Sequence, residues 1–111
     1  MANKFHAKKT IIGDLKFDSR KEADYYCLLE LQKKAKNEAD RVVDIQLQPR
    51  FDMIVNGIDC GFYKADFGVT YANGVKKIID VKGLKQGSAY QIFRLKKKIV
   101  EALYKIEIIE V

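Results

Sequence analysis

Apolar and polar residues alternate most regularly between Tyr63 and Gly83. Tyr63, Ala65, Phe67, Val69 and Tyr71 share one face of an extended segment; Lys64, Asp66, Gly68 and Thr70 share the other. Beyond Ala72-Asn73-Gly74, the stretch Val75 to Gly83 reads as a second strand, with Ile79 and Val81 on one face and Asp80 and Lys82 on the other. β-Branched and aromatic residues on both sides of an Asn-Gly turn predict a hairpin. Upstream, Thr10 to Phe17 suggests a short turn with a strand-like pair. Val42, Val43, Ile45 and Leu47 predict a strand over Asp40 to Gln48, stopped by Pro49, the only proline. Phe51 to about Phe62 predicts another hairpin, with the two-residue turn Asn56-Gly57 at its tip and a bend at Cys60-Gly61.

Two segments carry a helical period instead. Ser19-Arg20-Lys21-Glu22 is a capping box, with Ser19 as N-cap and Glu22 at the third helical position. From there Ala23, Tyr26, Cys27, Leu31 and Ala35 predict a helix to about Lys36 with that face inward. A loop over Leu84 to Ala89 leads to a second helix, Ala89 to Tyr104. Its expected core stripe is Ile92, Leu95, Ile99 and Leu103, widened by Phe93 and Val100, opposite Gln91, Arg94, Lys98 and Glu101. Ile106 to Val111 closes as a strand. The order predicts one α/β domain over residues 10–111 around a mixed sheet, preceded by a flexible basic arm, residues 1–9.

The register of the central hairpin decides its chemistry. A two-residue loop would put Asp66 and Asp80 on opposite faces. A three-residue loop, Ala72-Asn73-Gly74, pairs Tyr71 with Val75, Phe67 with Ile79, Ala65 with Val81, and Asp66 with Asp80. Gly74 suits the left-handed third position of such a loop, which favours this second register. Opposed carboxylates have Cβ atoms roughly 4.5–5.5 Å apart and repel each other. A hard divalent ion with oxygen ligands would relieve that repulsion. Lys82 projects from the same face, two residues past Asp80.

Composition narrows the class. With 111 residues, 48% apolar and 32% charged, the chain fits one soluble domain with a modest core. Neither a signal-peptide pattern nor an apolar run of membrane-spanning length is seen, so no membrane partner is expected. Cys27 and Cys60 form no Cys-x-x-Cys pair and are expected as reduced core thiols. The single histidine, His6, is expected at the surface, and one imidazole makes a zinc site or a histidine relay hard to build. The net charge of +6 is concentrated: residues 82–105 carry seven basic side chains against one acid, Glu101. A basic segment beside paired acids suggests a polyanion, most simply nucleic acid.

Five stretches together resemble a known family. Phe17-Asp18-Ser19-Arg20-Lys21-Glu22-Ala23, Leu47-Gln48-Pro49-Arg50-Phe51, Lys64-Ala65-Asp66-Phe67, Asp80-Val81-Lys82-Gly83 and Phe93-Arg94-Leu95-Lys96-Lys97-Lys98 are similar to small phage-encoded endonucleases of the PD-(D/E)XK superfamily, which include Holliday junction resolvases. The resemblance runs from about Thr10 to Val111. Ala65 stands where the superfamily name has proline, a variable position. The resemblance implies a restriction-endonuclease-like mixed sheet flanked by two main helices. It also implies a Mg²⁺-dependent endonuclease, with Mn²⁺ as a substitute, in the cytoplasm of the cell or of a phage host. Asp66, Asp80, the Val81 carbonyl and Glu22 would hold metal, and Lys82 would orient or deprotonate water. Lys85, Arg94, Lys97 and Lys98 would bind the DNA backbone. Branched DNA, cut twice on symmetric strands, implies a homodimer. Gln48-Pro49 is also similar to transposon end-cleaving nucleases; a general phage nuclease subunit and a non-catalytic nucleic-acid-binding module are the remaining alternatives.

Overall fold

A computed structural model describes residues 9–83 and 85–111. Apart from Lys9, the expected basic arm, His6 included, lies outside the described residues, as does Leu84 of the expected loop. The chain adopts the expected α/β architecture, a mixed sheet with two main helices. Strands β1 (Thr10–Ile12) and β2 (Leu15–Phe17) form a short antiparallel hairpin. Helix α1 (Arg20–Leu31) follows, capped as the sequence predicts: the Ser19 hydroxyl accepts from the Glu22 N–H at 3.1 Å. A single 3-10 turn, Gln32–Lys34, ends it, and Ala35 is already extended, so the helix stops short of Lys36. The Arg41 guanidinium donates to the carbonyls of Ala35 and Lys36 at 3.4 and 3.2 Å and so covers that end.

The main sheet has the order β3 (Val42–Leu47), β6 (Phe67–Tyr71), β7 (Lys76–Asp80), β8 (Ile108–Glu110). Only the β7–β8 pair is parallel, reached through helix α2 (Ser88–Tyr104). Strands β4 (Arg50–Val55) and β5 (Ile58–Lys64) form a separate antiparallel hairpin, turning at Asn56-Gly57 with φ of 51° and 80°. Both central residues at positive φ suit a tight two-residue turn.

A corner links the hairpin to the main sheet. The expected unbroken strand Tyr63–Tyr71 is two strands, with Ala65 and Asp66 between them. The opposing chain turns at the same level, at Gln48 (φ 49°) and Pro49. Pro49 has no N–H for a straight ladder. Two hydrogen bonds span the corner instead, Gln48 N–H to the Asp66 carbonyl and Ala65 N–H to the Pro49 carbonyl, both 3.0 Å. The corner also splits the expected apolar face. Phe67, Val69 and Tyr71 pack with Ala23 and Leu29 of α1, whereas Tyr63 and Ala65 pack with Phe93 and Val100 of α2. Ile79 joins the first cluster and Ile78 the second, so the two helices cover opposite faces of the sheet.

Three expectations about packing are corrected. On α1 the buried positions are Ala23 and Leu29; Leu31 is 66% exposed. Cys27 and Cys60 are exposed free thiols, not core residues. On α2 Phe93 and Val100 are buried, with Tyr90 and Ile99 beside them, while Ile92 and Leu95 are 57% and 60% exposed. α2 rests on the hairpin and on the sheet at once, and this seat selects the Tyr90–Phe93–Val100 line over the stripe one step round. Among the described residues no helix is long and apolar enough to cross a membrane. Leu29→Ala should cost roughly 2–5 kcal/mol in urea unfolding, whereas Leu31→Ala should change stability by less than about 0.5 kcal/mol. Equal costs would contradict the observed helix face.

Candidate active site

The three-residue loop forms as the sequence predicts. Tyr71 N–H bonds the Val75 carbonyl and Gly74 N–H bonds the Tyr71 carbonyl, both at 2.9 Å, with Gly74 at φ 89°. The register then pairs Phe67 with Ile79. One rung further, Asp66 N–H donates to the Ile79 carbonyl at 3.1 Å, which brings Asp66 level with Asp80. Both acids line one cleft of about 360 Å³, together with Glu22, Val81, Lys82, Lys64 and Lys96. A larger cleft of about 440 Å³, between Phe51, Ile78, Ile106 and Ile109, lies at the opposite end of β7; its charged groups, Lys76, Lys77, Lys105 and Glu107, are all exposed, and it contains no acid pair.

Each acid has distinct partners. Asp66 Oδ2 accepts the Val81 N–H at 2.6 Å. Asp80 is 4% exposed; its Oδ1 pairs with Lys82 Nζ at 2.9 Å, and its Oδ2 accepts the Tyr63 hydroxyl. Burial, and then the negative charge of Asp80, push the Asp66 carboxyl up to about 7, against the pull of the Val81 N–H. Glu22 is also raised, first by burial, then by Asp18 and Asp80, so its charge is felt across the same cleft. Burial and the bond to Asp80 raise Tyr63 far above the usual phenol range, which keeps it a proton donor. Lys82 Nζ lies 3.6 Å from the centroid of the Phe93 ring. Lys21 Nζ donates to the main-chain carbonyl of Lys82 and, at 3.3 Å, to that of Val111, tying α1 to the strand ends.

The predicted acids and Lys82 therefore meet, but not all predicted DNA contacts do. Arg94 and Lys98 are exposed on the outer side of α2, away from the cleft. Lys97 is engaged by Glu110 at 3.0 Å, and Lys85 lies 3.9 Å from the same carboxylate, which also accepts the Tyr90 hydroxyl at 2.8 Å. The basic side chains that do line the cleft beside Lys82 are Lys64 and Lys96. Lys64 could have been found from its place two residues before Asp66 on the polar face; Lys96 depended on which line of α2 packs. Tyr63 and Phe93 read only as core residues.

The cleft offers a cation two adjacent carboxylates rather than a closed cage of ligands. Among the described residues no three His, Cys, Asp or Glu side chains gather tightly enough to hold a metal between them. Two adjacent carboxylates match the usual Mg²⁺ arrangement, in which one or two acids bind and water fills the remaining positions. Asp66 binds a proton more tightly when folded (about 7) than at its ordinary value of 3.8. The folded chain therefore loses stability as pH rises between those values, and the cost is complete above about pH 7. Asp66→Asn removes that charge and keeps an acceptor for Val81. Metal-free, its melting temperature should exceed that of the unsubstituted chain at pH 8 by at least ~4 °C, and the gap should shrink toward pH 5. A variant less stable at pH 8 would contradict the strained pair.

No curated protein and no solved structure matches the chain. The profile of a family described as a protein of unknown function, DUF1064, matches residues 2–109. That span takes in both helices, the paired acids and Lys82, and the chain belongs to the DUF1064 family.

Proposed function

We propose that the cleft is the active site of a Mg²⁺-dependent DNA endonuclease. The observation that carries the reading is the pair of Asp66, at the corner just before β6, and Asp80, the last residue of β7, in one cleft with Lys82 and Glu22. Asp66 and Asp80 would hold the ion, with the Val81 carbonyl and with Glu22 directly or through water; Mn²⁺ would substitute. When bound, Mg²⁺ supplies Lewis acidity toward the scissile phosphate and lowers the pKa of water. Lys82 presents its ammonium at the same place, where it orients the attacking water and offsets phosphate charge. Glu22, with its raised proton affinity, can accept a hydrogen bond from ordered water. Lys64 and Lys96 at the cleft would contact phosphates beside the cut, and Arg94 and Lys98, on the outer side of α2, would contact phosphates farther along the backbone, none of them reading bases.

Branched DNA is the preferred substrate class, and it goes with a homodimer that carries two sites. The resemblance to phage-type resolvases and the basic run in residues 82–105 support this choice. A non-catalytic nucleic-acid-binding module is favoured by one observation, the lack of a three-ligand cluster among the described residues. It leaves the paired acids without a purpose.

Four-way junction, flap, duplex and single-stranded DNA, each incubated with Mg²⁺ and mapped for nicks, separate the two readings. Cleavage of the junction is expected, with binding that weakens steeply with salt. Asp80→Asn should abolish cleavage and preserve junction binding, and Lys82→Ala should slow cleavage by about 10²–10³-fold. Salt-dependent binding with no cleavage in Mg²⁺ or Mn²⁺ would establish the module instead.

A further inference from the structure

Lys82 stands two residues past the end of β7 on a long flexible stem. A lysine there ordinarily extends into water, yet its side chain is only 22% exposed. Two contacts hold it inward, Asp80 Oδ1 at 2.9 Å and the face of Phe93 at 3.6 Å from the ring centroid. These contacts differ in what else they must do. If Asp80 serves as a metal ligand, it cannot also give its full charge to Lys82, and its other oxygen is committed to the Tyr63 hydroxyl. The Phe93 ring has no competing duty. It is 7% exposed, packed against Tyr63 and Tyr90 with ring centroids 6.1 and 5.8 Å away, and seated on the buried side of α2. A ring fixed on a helix and removed from water is where a cation gains most from the aromatic face.

We infer that Phe93 is a positioning residue for Lys82, the cradle that keeps the ammonium in the cleft once Asp80 is engaged with metal. The inference rests on the nuclease reading for its consequence, but not for its geometry. It gives α2 a second role: the helix that packs the hairpin on the sheet also carries the support for the working lysine. Leucine at this position would fill most of the space and offer no aromatic face. Tyrosine would keep the face.

The test combines a spectroscopic and a kinetic readout on the intact chain. In NMR of lysine-labelled protein, the Lys82 ε-methylene should resonate upfield of the other lysines, because it is bonded to the nitrogen that sits 3.6 Å from the ring centroid. It should stay there at saturating Mg²⁺. Phe93→Leu should return it to the common lysine position, and Phe93→Tyr should not. With junction DNA, Phe93→Leu should lower kcat about tenfold with KM changed less than about twofold, and Phe93→Tyr should restore kcat. A wild-type Lys82 signal among the other lysines, or one that joins them when Mg²⁺ is added, overturns the inference, as does a Phe93→Leu enzyme with unchanged kcat. If Phe93→Leu does not fold, the wild-type signal with and without Mg²⁺ decides alone. A wild-type protein that cuts no DNA overturns the nuclease reading, and the lysine signal still judges the cradle.

Discussion

Two carboxylates at one level of the sheet, the half-buried Asp66 at the corner before β6 and the buried Asp80 at the end of β7, set the conditions for the rest of the molecule. Unit charges about 5 Å apart repel by roughly 3 kcal/mol at an effective dielectric of about 20. A chain of this size has a total stability of only about 5–15 kcal/mol. The surroundings answer the repulsion with specific donors: the Val81 N–H on Asp66, and the Tyr63 hydroxyl and Lys82 ammonium on Asp80. Even so, Asp66 holds its proton up to about 7. Retaining an ionisable pair in such a place is the behaviour of a functional site more than of a stabilising one.

The backbone assembles this arrangement from four directions. The corner at Gln48-Pro49 and Ala65-Asp66 releases Asp66 from the hairpin and aims it at the end of β7. The capped first turn of α1 delivers Glu22, and the same turn supplies Lys21, whose ammonium bonds the carbonyl of Lys82. β5 brings Tyr63, and α2 brings Phe93. The pairing of β7 with the C-terminal strand continues past Asp80, through Val111 N–H to the Asp80 carbonyl at 3.0 Å and Lys82 N–H to the Val111 carbonyl at 2.9 Å. The lysine backbone is thus fixed on both sides while its side chain reaches into the cleft.

What could be read from the chain follows from how local each signal is. Ala72-Asn73-Gly74 sets the register through a single glycine at positive φ, so the alignment of Asp66 with Asp80 was legible before any fold was known. The Ser19 cap was legible for the same reason. The split of Tyr63 and Ala65 from Phe67 was not, because alternation is blind to a corner, and Pro49 marked only the strand that faces it. Nor was the choice between two apolar lines on α2, since Ile92, Leu95 and Leu103 satisfy the helical period as well as Phe93 and Val100 do. Only the combined seat of sheet and hairpin distinguishes them. The cysteines misled because small apolar character suggested burial, whereas Cys27 falls one step outside the Ala23–Leu29 face.

The proposed site requires that these acids repel each other when metal-free and that a dication, once bound, relieves the repulsion. Carbon-13 NMR of the carboxyl groups, followed from pH 3 to 9 with and without Mg²⁺, measures this directly. Asp66 should titrate near 7 in metal-free protein, and saturating Mg²⁺ should lower its midpoint, because the ion competes with the proton. A midpoint near the ordinary 3.8, unchanged by Mg²⁺, would mean that the two acids neither strain each other nor share an ion.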